Sequence, residues 1–265
     1  MKKIALLVLT APLVLAACGG GSSAQVKADP VAYVRHAAAK TAGLPSEHMT
    51  MQITATVAGT SVTMNGSGDF SNRPAKGTLQ MAMSAAGHNI SIREVVDGTT
   101  AYMSSQLFAP ALPSGKTWMK LDMQKVGKSQ GINFSQLLSQ TPTTSLQRLE
   151  ASGTVTSVGP ETLYGTATTH YRVTNLDLSK LPQASKLLAA AHVSVKYGPI
   201  EVWIGNADGY VRQMSFSASA SVAGQSVDMS ATMTFTKFGE AVNVRIPPAN
   251  QTFDATSLAS GGLGN

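Results

Sequence analysis

The sequence is poor in cysteine and in charged residues. Its one cysteine, Cys18, excludes an internal disulfide, a CxxC redox motif and any metal site built from several cysteines. Charged residues make up 13% of the 265 positions and hydrophobic residues 43%, a balance that excludes intrinsic disorder and coiled coils. The composition therefore predicts a folded body with a large apolar core.

The motifs of common enzymes are missing as well. The sequence has no Gly-x-Ser-x-Gly elbow, no Ser-x-x-Lys pair and no zinc-protease helix motif. Two fragments match the end of a P-loop, at 115–117 and 127–129, but Pro110 and Asp122 occupy the positions of its first glycine. We therefore expect no enzymatic activity, no metal and no cofactor.

Basic residues are only in modest excess and are scattered along the chain. The formal net charge is +6, and the densest basic group consists of Lys116, Lys120, Lys125 and Lys128. This distribution argues against nucleic acid as a partner. The lysine group is typical either of a solvated loop or of a weak attraction to anionic lipid headgroups.

The first eighteen residues have the layout of a bacterial lipoprotein signal. Lys2 and Lys3 precede an apolar run over 4–15, which is too short to cross a bilayer. The segment ends with Leu15-Ala16-Ala17-Cys18, which resembles a lipobox. The resemblance implies cleavage before Cys18 and attachment of a diacylglyceryl group to its thiol. The alternative is an ordinary signal peptide followed by an incidental cysteine.

The chain divides into four predicted segments. Residues 1–17 are the signal peptide, 18–29 the lipidated cysteine with a flexible tether, 30–255 a single domain and 256–265 a disordered tail. Two or three acyl chains on Cys18 would anchor the protein stably, since each buried methylene contributes ~0.8 kcal/mol. The predicted location is the outer face of the bacterial cytoplasmic membrane.

Apolar and polar residues alternate with a period of two over most of the body. The clearest examples are 49–57 and 225–237, which are typical of antiparallel strands with one apolar face and one Thr-rich face. Asp97-Gly98 and Asp208-Gly209 mark turns between strands. The further predicted strands are 61–70, 77–85, 89–96, 99–103, 118–121, 153–159, 162–176, 200–204 and 210–222.

Three stretches have helical spacing instead. They are 30–42, with Val31, Val34, Ala38 and Ala42 on one side, and the ranges 133–151 and 179–191. No helix alternates regularly with the strands, which excludes a doubly wound parallel sheet. The predicted fold is α+β, with one large antiparallel sheet and helices packed on one side of it.

Methionine is frequent on the apolar side of these strands. Flexible, polarizable side chains of this kind suit either a variable apolar surface or a core that needs irregular gaps filled. For the first interpretation, the candidate residues of that surface are Met51, Ile53, Val57, Met64, Met81, Met83, Ile90, Ile92, Leu137, Leu138, Leu187, Met214, Phe216, Met229 and Met233.

Two ionisable residues have two interpretations each. Glu94 shares its predicted strand face with Ile92 and Val96, so it is either a functional acid or a residue that meets Arg93 or solvent. His170 lies within a strand, where it is either a hydrogen-bonded structural histidine or a catalytic one.

Several short segments behind the lipobox occur in an order shared with a known family. They are Val95–Tyr102, Trp118–Lys120, Tyr164-Gly165, Thr169–Val173, Asp177-Leu178, Val202–Ile204, Asp208-Gly209 and Val211–Met214. Together they resemble the LppX/LprG group of actinobacterial lipoproteins, a branch of the LolA-like lipid carriers. The resemblance implies a large curved antiparallel sheet, a half-open β-barrel with helices packed over its concave side. It also implies that the apolar candidate residues line a lipid cavity, in which such a protein binds acylated lipids or glycolipids and carries them between membrane layers.

Lipid binding is therefore the leading functional hypothesis. The expected partners are a lipid or glycolipid ligand, the membrane through the N-terminal anchor, and an envelope protein as a further candidate. One alternative is a signalling lipoprotein of the RseB type, which binds a membrane regulator. The other is a hydrolase, which requires a nucleophile–base pair that the sequence does not identify.

Overall fold

The computed structural model describes seven stretches of the 265 residues. These are 29–57, 59–72, 74–85, 88–129, 153–175, 194–222 and 225–260. The predicted signal peptide, Cys18 and the two predicted helices over 133–151 and 179–191 lie outside these residues.

The described residues form one sheet of twelve strands with three short α-helices. Strands β1 to β12 are, in chain order, Ser46–Val57, Thr60–Asn72, Ala75–Ala85, His88–Asp97, Thr100–Ser105, Trp118–Asp122, Thr154–Leu163, Thr166–Thr174, Ser194–Gly205, Val211–Val222, Gln225–Thr236 and Thr252–Asp254. Helices α1 to α3 are Pro30–Ala42, Met123–Ser129 and Thr256–Ser260, and two 3₁₀ turns are Ala109–Ala111 and Ala249–Gln251.

The spatial order of the strands is β12-β6-β5-β4-β3-β2-β1-β11-β10-β9-β8-β7. All pairs are antiparallel except β12 with β6, and the sheet is open, with β12 and β7 as its end strands. This confirms the predicted large antiparallel sheet. Period-two sequences account for it, because a half-buried strand fixes its register by keeping all its apolar side chains on one face.

One strand prediction had the wrong bounds, and one strand was not predicted. A single strand was predicted over 162–176, but β7 runs to Leu163 and the chain turns at Tyr164-Gly165 before β8. Both turn residues have positive φ, 47° and 79°, a conformation that suits a tight hairpin. Strand β12 was not predicted at all, because three residues are too few to display a period.

Helix α1 confirms the prediction over 30–42. Asp29 caps it, since its Oδ1 accepts hydrogen bonds from the backbone N–H of Val31 at 3.0 Å and of Ala32 at 3.2 Å. The buried stripe differs from the predicted one in that Val31 and Ala42 are only half-buried. The stripe is formed by Tyr33, Val34, Ala37, Ala38 and Thr41.

The packed core lies between α1 and strands β8 to β11. Val34 and Ala38 of α1 meet a buried group from the sheet that includes Val173, Val202 and Phe235. Thr41 ties the helix to β10, because its Oγ1 donates to the Ala37 carbonyl and accepts from the N–H of Val211 at 2.9 Å. The core therefore lies on the apolar side of the sheet, beneath α1.

The C-terminal residues close one edge of the sheet. Beyond the β12–β6 pairing, the N–H of Ala255 donates to the Lys120 carbonyl at 3.0 Å, and the N–H of Asp122 donates to Thr256 Oγ1 at 2.9 Å. The predicted disorder from residue 256 is therefore wrong for 256–260, which form α3. These contacts to β6 supply the order that the small, Gly-rich sequence did not indicate.

A carboxyl group is buried at the beginning of β1. Glu47 is 6% exposed, and its Oε2 has no hydrogen-bond partner among the described residues. Burial raises the pKa of Glu47 to about 7 from its ordinary 4.5. The sequence analysis did not single this residue out, although Glu47 and Met49 have the two-residue spacing of one strand face.

This buried carboxyl predicts a pH dependence of stability. Because the folded state holds the Glu47 proton more tightly than the unfolded state, the free energy of unfolding falls as pH rises from about 4.5 to about 7, by about 3 kcal/mol at most. In the Glu47→Gln variant this loss is absent. Urea unfolding of both proteins at about pH 5 and about pH 8 measures it. Identical pH-dependent losses in the two proteins would contradict the assignment.

Candidate functional site

The predicted cavity residues that the structure describes lie on one side of the sheet, which we call the apolar face. Strand register aligns them in rows across neighbouring strands. One row joins Ile92, Met81, Gly66, Met51, Met233 and Met214. A second row joins Ile90, Met83, Met64, Ile53, Ala231 and Phe216.

Two further candidates extend the face toward the strand ends. Met229 pairs with Ala55, and Val57 pairs with Val227. Leu137, Leu138 and Leu187 lie outside the described residues. The register thus places every described candidate on the same face, although it does not test what they bind.

Burial divides the apolar face into two parts. Met214 belongs to the packed core under α1, and Met51 and Met233 pack against that core, which favours the gap-filling interpretation for these three. Val57 is 40% exposed, and the remaining described candidates are half-buried. The half-buried part runs over β1 to β4 and also includes Phe216 of β10 and Met229 of β11.

Glycines form the floor of this part of the face. A Cβ on Gly66 would lie 2.6 Å from Met51 Cγ, and a Cβ on Gly77 would lie 2.6 Å from a ring carbon of Phe70. The large side chains therefore lie flat across the backbone of β2 and β3, in space that any other residue would fill. Gly66 and Gly68 within the predicted strand are the sequence signal that other groups approach its backbone closely, although the prediction did not include this packing.

Glu94 lies on the same face. Its cross-strand neighbours are Leu79 on β3 and Met103 on β5. Burial raises its pKa above the ordinary value. Arg93 does not meet it, because Arg93 donates to Ser104 Oγ at 3.2 Å and its guanidinium lies 5.1 Å from the centre of the Trp118 ring. The alternative in which Glu94 meets Arg93 is therefore excluded, whereas the alternatives of solvent contact and of a functional acid stay open.

His170 is hydrogen-bonded, as its structural interpretation requires. It lies on the opposite, polar face, where its Nε2 is 2.7 Å from Glu201 Oε2 and its ring stacks on Trp203 at 4.3 Å between centres. The Trp203 indole donates to Glu161 Oε2 at 2.7 Å, and the Arg172 guanidinium donates to Glu201 Oε1 at 2.7 Å. This network links β7, β8 and β9.

A second histidine on the polar face belongs to a Ser-His-Asp series that the sequence analysis missed. Ser67 Oγ is 3.3 Å from His48 Nε2, and His48 Nδ1 is 2.7 Å from Asp69 Oδ1. The residues sit on adjacent strands, so the pairing needs register that sequence spacing does not supply. Backbone N–H groups within a sheet donate to neighbouring strands, so this arrangement provides no oxyanion hole in the described region.

A cleft lined by both polar and apolar residues, among them Tyr197 and Ala218, also opens on that side of the sheet. It has a volume of about 500 Å³ and lies near the ends of β1, β9, β10 and β11. Its lining includes Thr54, Thr56, Ser217, Ser219, Asp228 and Ser230. The cleft therefore lies across the sheet from the predicted lipid-cavity residues and contains none of them except Met229.

Three of the clustered lysines have partners within the protein. Lys116 Nζ donates to the Asn250 carbonyl at 3.0 Å, Lys120 pairs with Asp254 at 3.3 Å, and Lys125 pairs with Asp122 at 3.7 Å. Their charges are thus engaged with the C-terminal segment and with the last residue of β6, which argues against a dedicated site for lipid headgroups.

The described stretches contain neither a membrane-spanning helix nor a cluster of metal-binding side chains. No helix there has the length and apolar character needed to cross a membrane. No group of three or more histidine, cysteine, aspartate and glutamate side chains there converges on a possible metal site.

Comparison with known proteins gives one family match. The model of the LppX_LprAFG lipoprotein family matches residues 29–244. A curated relative from Streptomyces griseus, an uncharacterized 31.2 kDa protein in the rplA-rplJ intergenic region, is 25% identical over 201 residues. The alignment covers 70% of this chain, and the chain spans only 64% of that relative's length.

Two crystal structures of mycobacterial lipoproteins are similar to the chain over most of its length. LppX from Mycobacterium tuberculosis is 18% identical with a TM-score of 0.48, covering 81% of this chain and 97% of that chain. LprF from Mycobacterium bovis is 16% identical with a TM-score of 0.49, covering 83% and 97%.

The glycine floor predicts unequal effects for two similar substitutions. In Gly68→Ala the Cβ would lie 2.2 Å from the Thr78 carbonyl oxygen, a backbone atom that cannot rotate away, so we expect a loss of about 1–3 kcal/mol in unfolding free energy. In Gly66→Ala the Cβ meets the flexible Met51 side chain, so the loss should be smaller, about 1 kcal/mol or less. Urea unfolding compares them, and equal losses would contradict the described packing.

Proposed function

The chain belongs to the LppX_LprAFG lipoprotein family, and on this premise we propose that it binds an acylated lipid or glycolipid on its apolar face. The observation that carries the proposal is the alignment of Met81 and Ile92, with Met64, Met83 and Ile90 of the second row beside them, on the half-buried part of this face. A methionine-rich surface of this kind can adapt to acyl chains of different shape. The resemblance to this family is confirmed by the family match.

Lipid binding of this kind requires no catalytic group, because apolar contacts supply the binding free energy. Each buried methylene contributes ~0.8 kcal/mol, so about ten methylenes contribute about 8 kcal/mol before the entropic cost of association is subtracted. Apolar contact alone thus suffices for useful affinity. We expect a carrier or holder of lipid without enzymatic activity.

An anchor at Cys18 would keep this binding domain beside the membrane. The segment 18–29 separates the cysteine from α1, and an extended segment of that length reaches about 40 Å. We propose that the protein is acylated at Cys18, stays at the outer face of the cytoplasmic membrane and transfers lipid within that reach. An envelope protein that delivers or receives the lipid is part of this proposal.

The lipid-binding proposal predicts a face-specific effect of charge. Met81→Glu places a carboxylate on the apolar face, where a bound acyl chain would have to desolvate it, so bound lipid should fall at least about tenfold. Gln80→Glu is the matched control, because Gln80 is the adjacent residue and points to the polar face. The full chain, purified in mild detergent, is extracted with organic solvent, and the released lipids are quantified by mass spectrometry.

Two outcomes would contradict the proposal. The first is equal lipid in the two variants and the wild type. The second is no releasable lipid in the wild-type protein together with recovery of a membrane protein partner, which would favour the signalling alternative. The covalent lipid on Cys18 does not interfere, since it remains on the protein during extraction.

The anchor has its own prediction. Cys18→Ser removes the thiol that would receive the diacylglyceryl group, so the variant should keep an uncleaved leader and incorporate no labelled palmitate. The wild-type protein should incorporate the label and lose its first seventeen residues. Metabolic labelling and intact-mass measurement test both points, and equal labelling of the two proteins would overturn the assignment of Cys18.

A further inference from the structure

We propose that Glu94 accepts a hydrogen bond from the headgroup of the bound lipid and so selects lipids with hydroxyl or ammonium donors. The inference rests on the proposed lipid-binding function and adds a specificity determinant to it. Glu94 is half-buried among apolar neighbours, with Leu79 and Met103 across the ladder and Ile92 and Val96 on its own strand.

Glu94 has no hydrogen bond or ion pair with any described residue. The cations of neighbouring strands are engaged elsewhere. Lys76 pairs with Asp97 at 3.1 Å, Lys120 pairs with Asp254 at 3.3 Å, and Arg93 points to the polar face toward Ser104 and Trp118. The cations of the flanking strands therefore lie elsewhere, and the residues paired directly with Glu94 are apolar.

A carboxyl group in such surroundings gains from any donor that arrives with a ligand. Partial burial removes water from the group, and a hydrogen bond to a charged or partly charged acceptor is stronger in apolar surroundings than in water. A headgroup with hydroxyl or ammonium donors supplies that bond. A phosphocholine headgroup has no donor, and its phosphate carries the same charge as the carboxylate.

The second carboxyl of this face serves as an internal comparison. Glu47 also projects from the apolar face, two residues before Met49 on β1, but it is 6% exposed. Glu94 keeps more of its surface accessible. Glu94 is thus the carboxyl that a ligand on the apolar face can reach, whereas Glu47 is enclosed by the protein.

A competition experiment tests the inference. The full chain in mild detergent is offered equal amounts of three lipids with identical acyl chains: a monoglucosyl diacylglycerol, phosphatidylethanolamine and phosphatidylcholine. Bound lipids are quantified by native mass spectrometry. The wild-type protein should prefer one or both donor-bearing lipids over phosphatidylcholine by about tenfold. The glucosyl and ethanolamine arms show whether hydroxyl or ammonium supplies the donor.

The variants give the decisive comparison. In Glu94→Leu the preference should fall to within about twofold while the total bound lipid is retained, because the apolar contacts remain. Glu94→Gln keeps an acceptor oxygen without the charge and should give an intermediate preference. Because the readout is a ratio between lipids, a moderate change in folded fraction does not alter it.

Three results would overturn the inference. They are a wild-type protein without preference, a Glu94→Leu variant that keeps the full preference, and a preference for phosphatidylcholine. If neither protein binds any of the three lipids, the proposed function itself fails, and this outcome is distinct from a loss of selectivity in a protein that still binds lipid.

Discussion

The alternation of side chains along paired strands is the constraint on which the rest of this structure depends. Alternate residues of a strand lie on one face of the sheet, and each is paired with a residue on the same face of the neighbouring strand. A row of paired residues that crosses several strands therefore lies on one face. The row through Met51 joins β4 at one end to β10 at the other. A slip of one residue in any central strand would move its methionines to the Thr-rich face.

The same alternation separates two kinds of chemistry. The polar face gathers hydrogen-bonded pairs such as His48 with Asp69 and His170 with Glu201, and their partners lie on adjacent strands. The apolar face carries α1, the packed core and the methionine rows, together with two carboxyl groups, Glu47 and Glu94. These two ionisable groups contrast with its apolar character, and burial raises the pKa of each.

Local periodicity in the sequence predicted most strands and helix α1, but it did not predict contacts that depend on which strands are neighbours. The strands and α1 follow from local spacing, and the register then placed Met51, Met81 and Ile92 as expected. The triad-like contacts of His48 depend on which strands are neighbours, which no local pattern specifies. The partner of Arg93 was misjudged because adjacent residues on a strand point to opposite faces, and β12 was too short to detect.

The parallel pairing of β12 with β6 has a consequence for how the sheet is completed. Lys120 of β6 and Asp254 of β12 are 134 positions apart, so one edge of β6 has no strand beside it until synthesis has reached β12. An unpaired edge is a template for association with another chain. If synthesis stopped just before β12, β6 would become the edge strand. Its unpaired N–H and C=O groups would then be open to pairing with the sheet edge of a second copy.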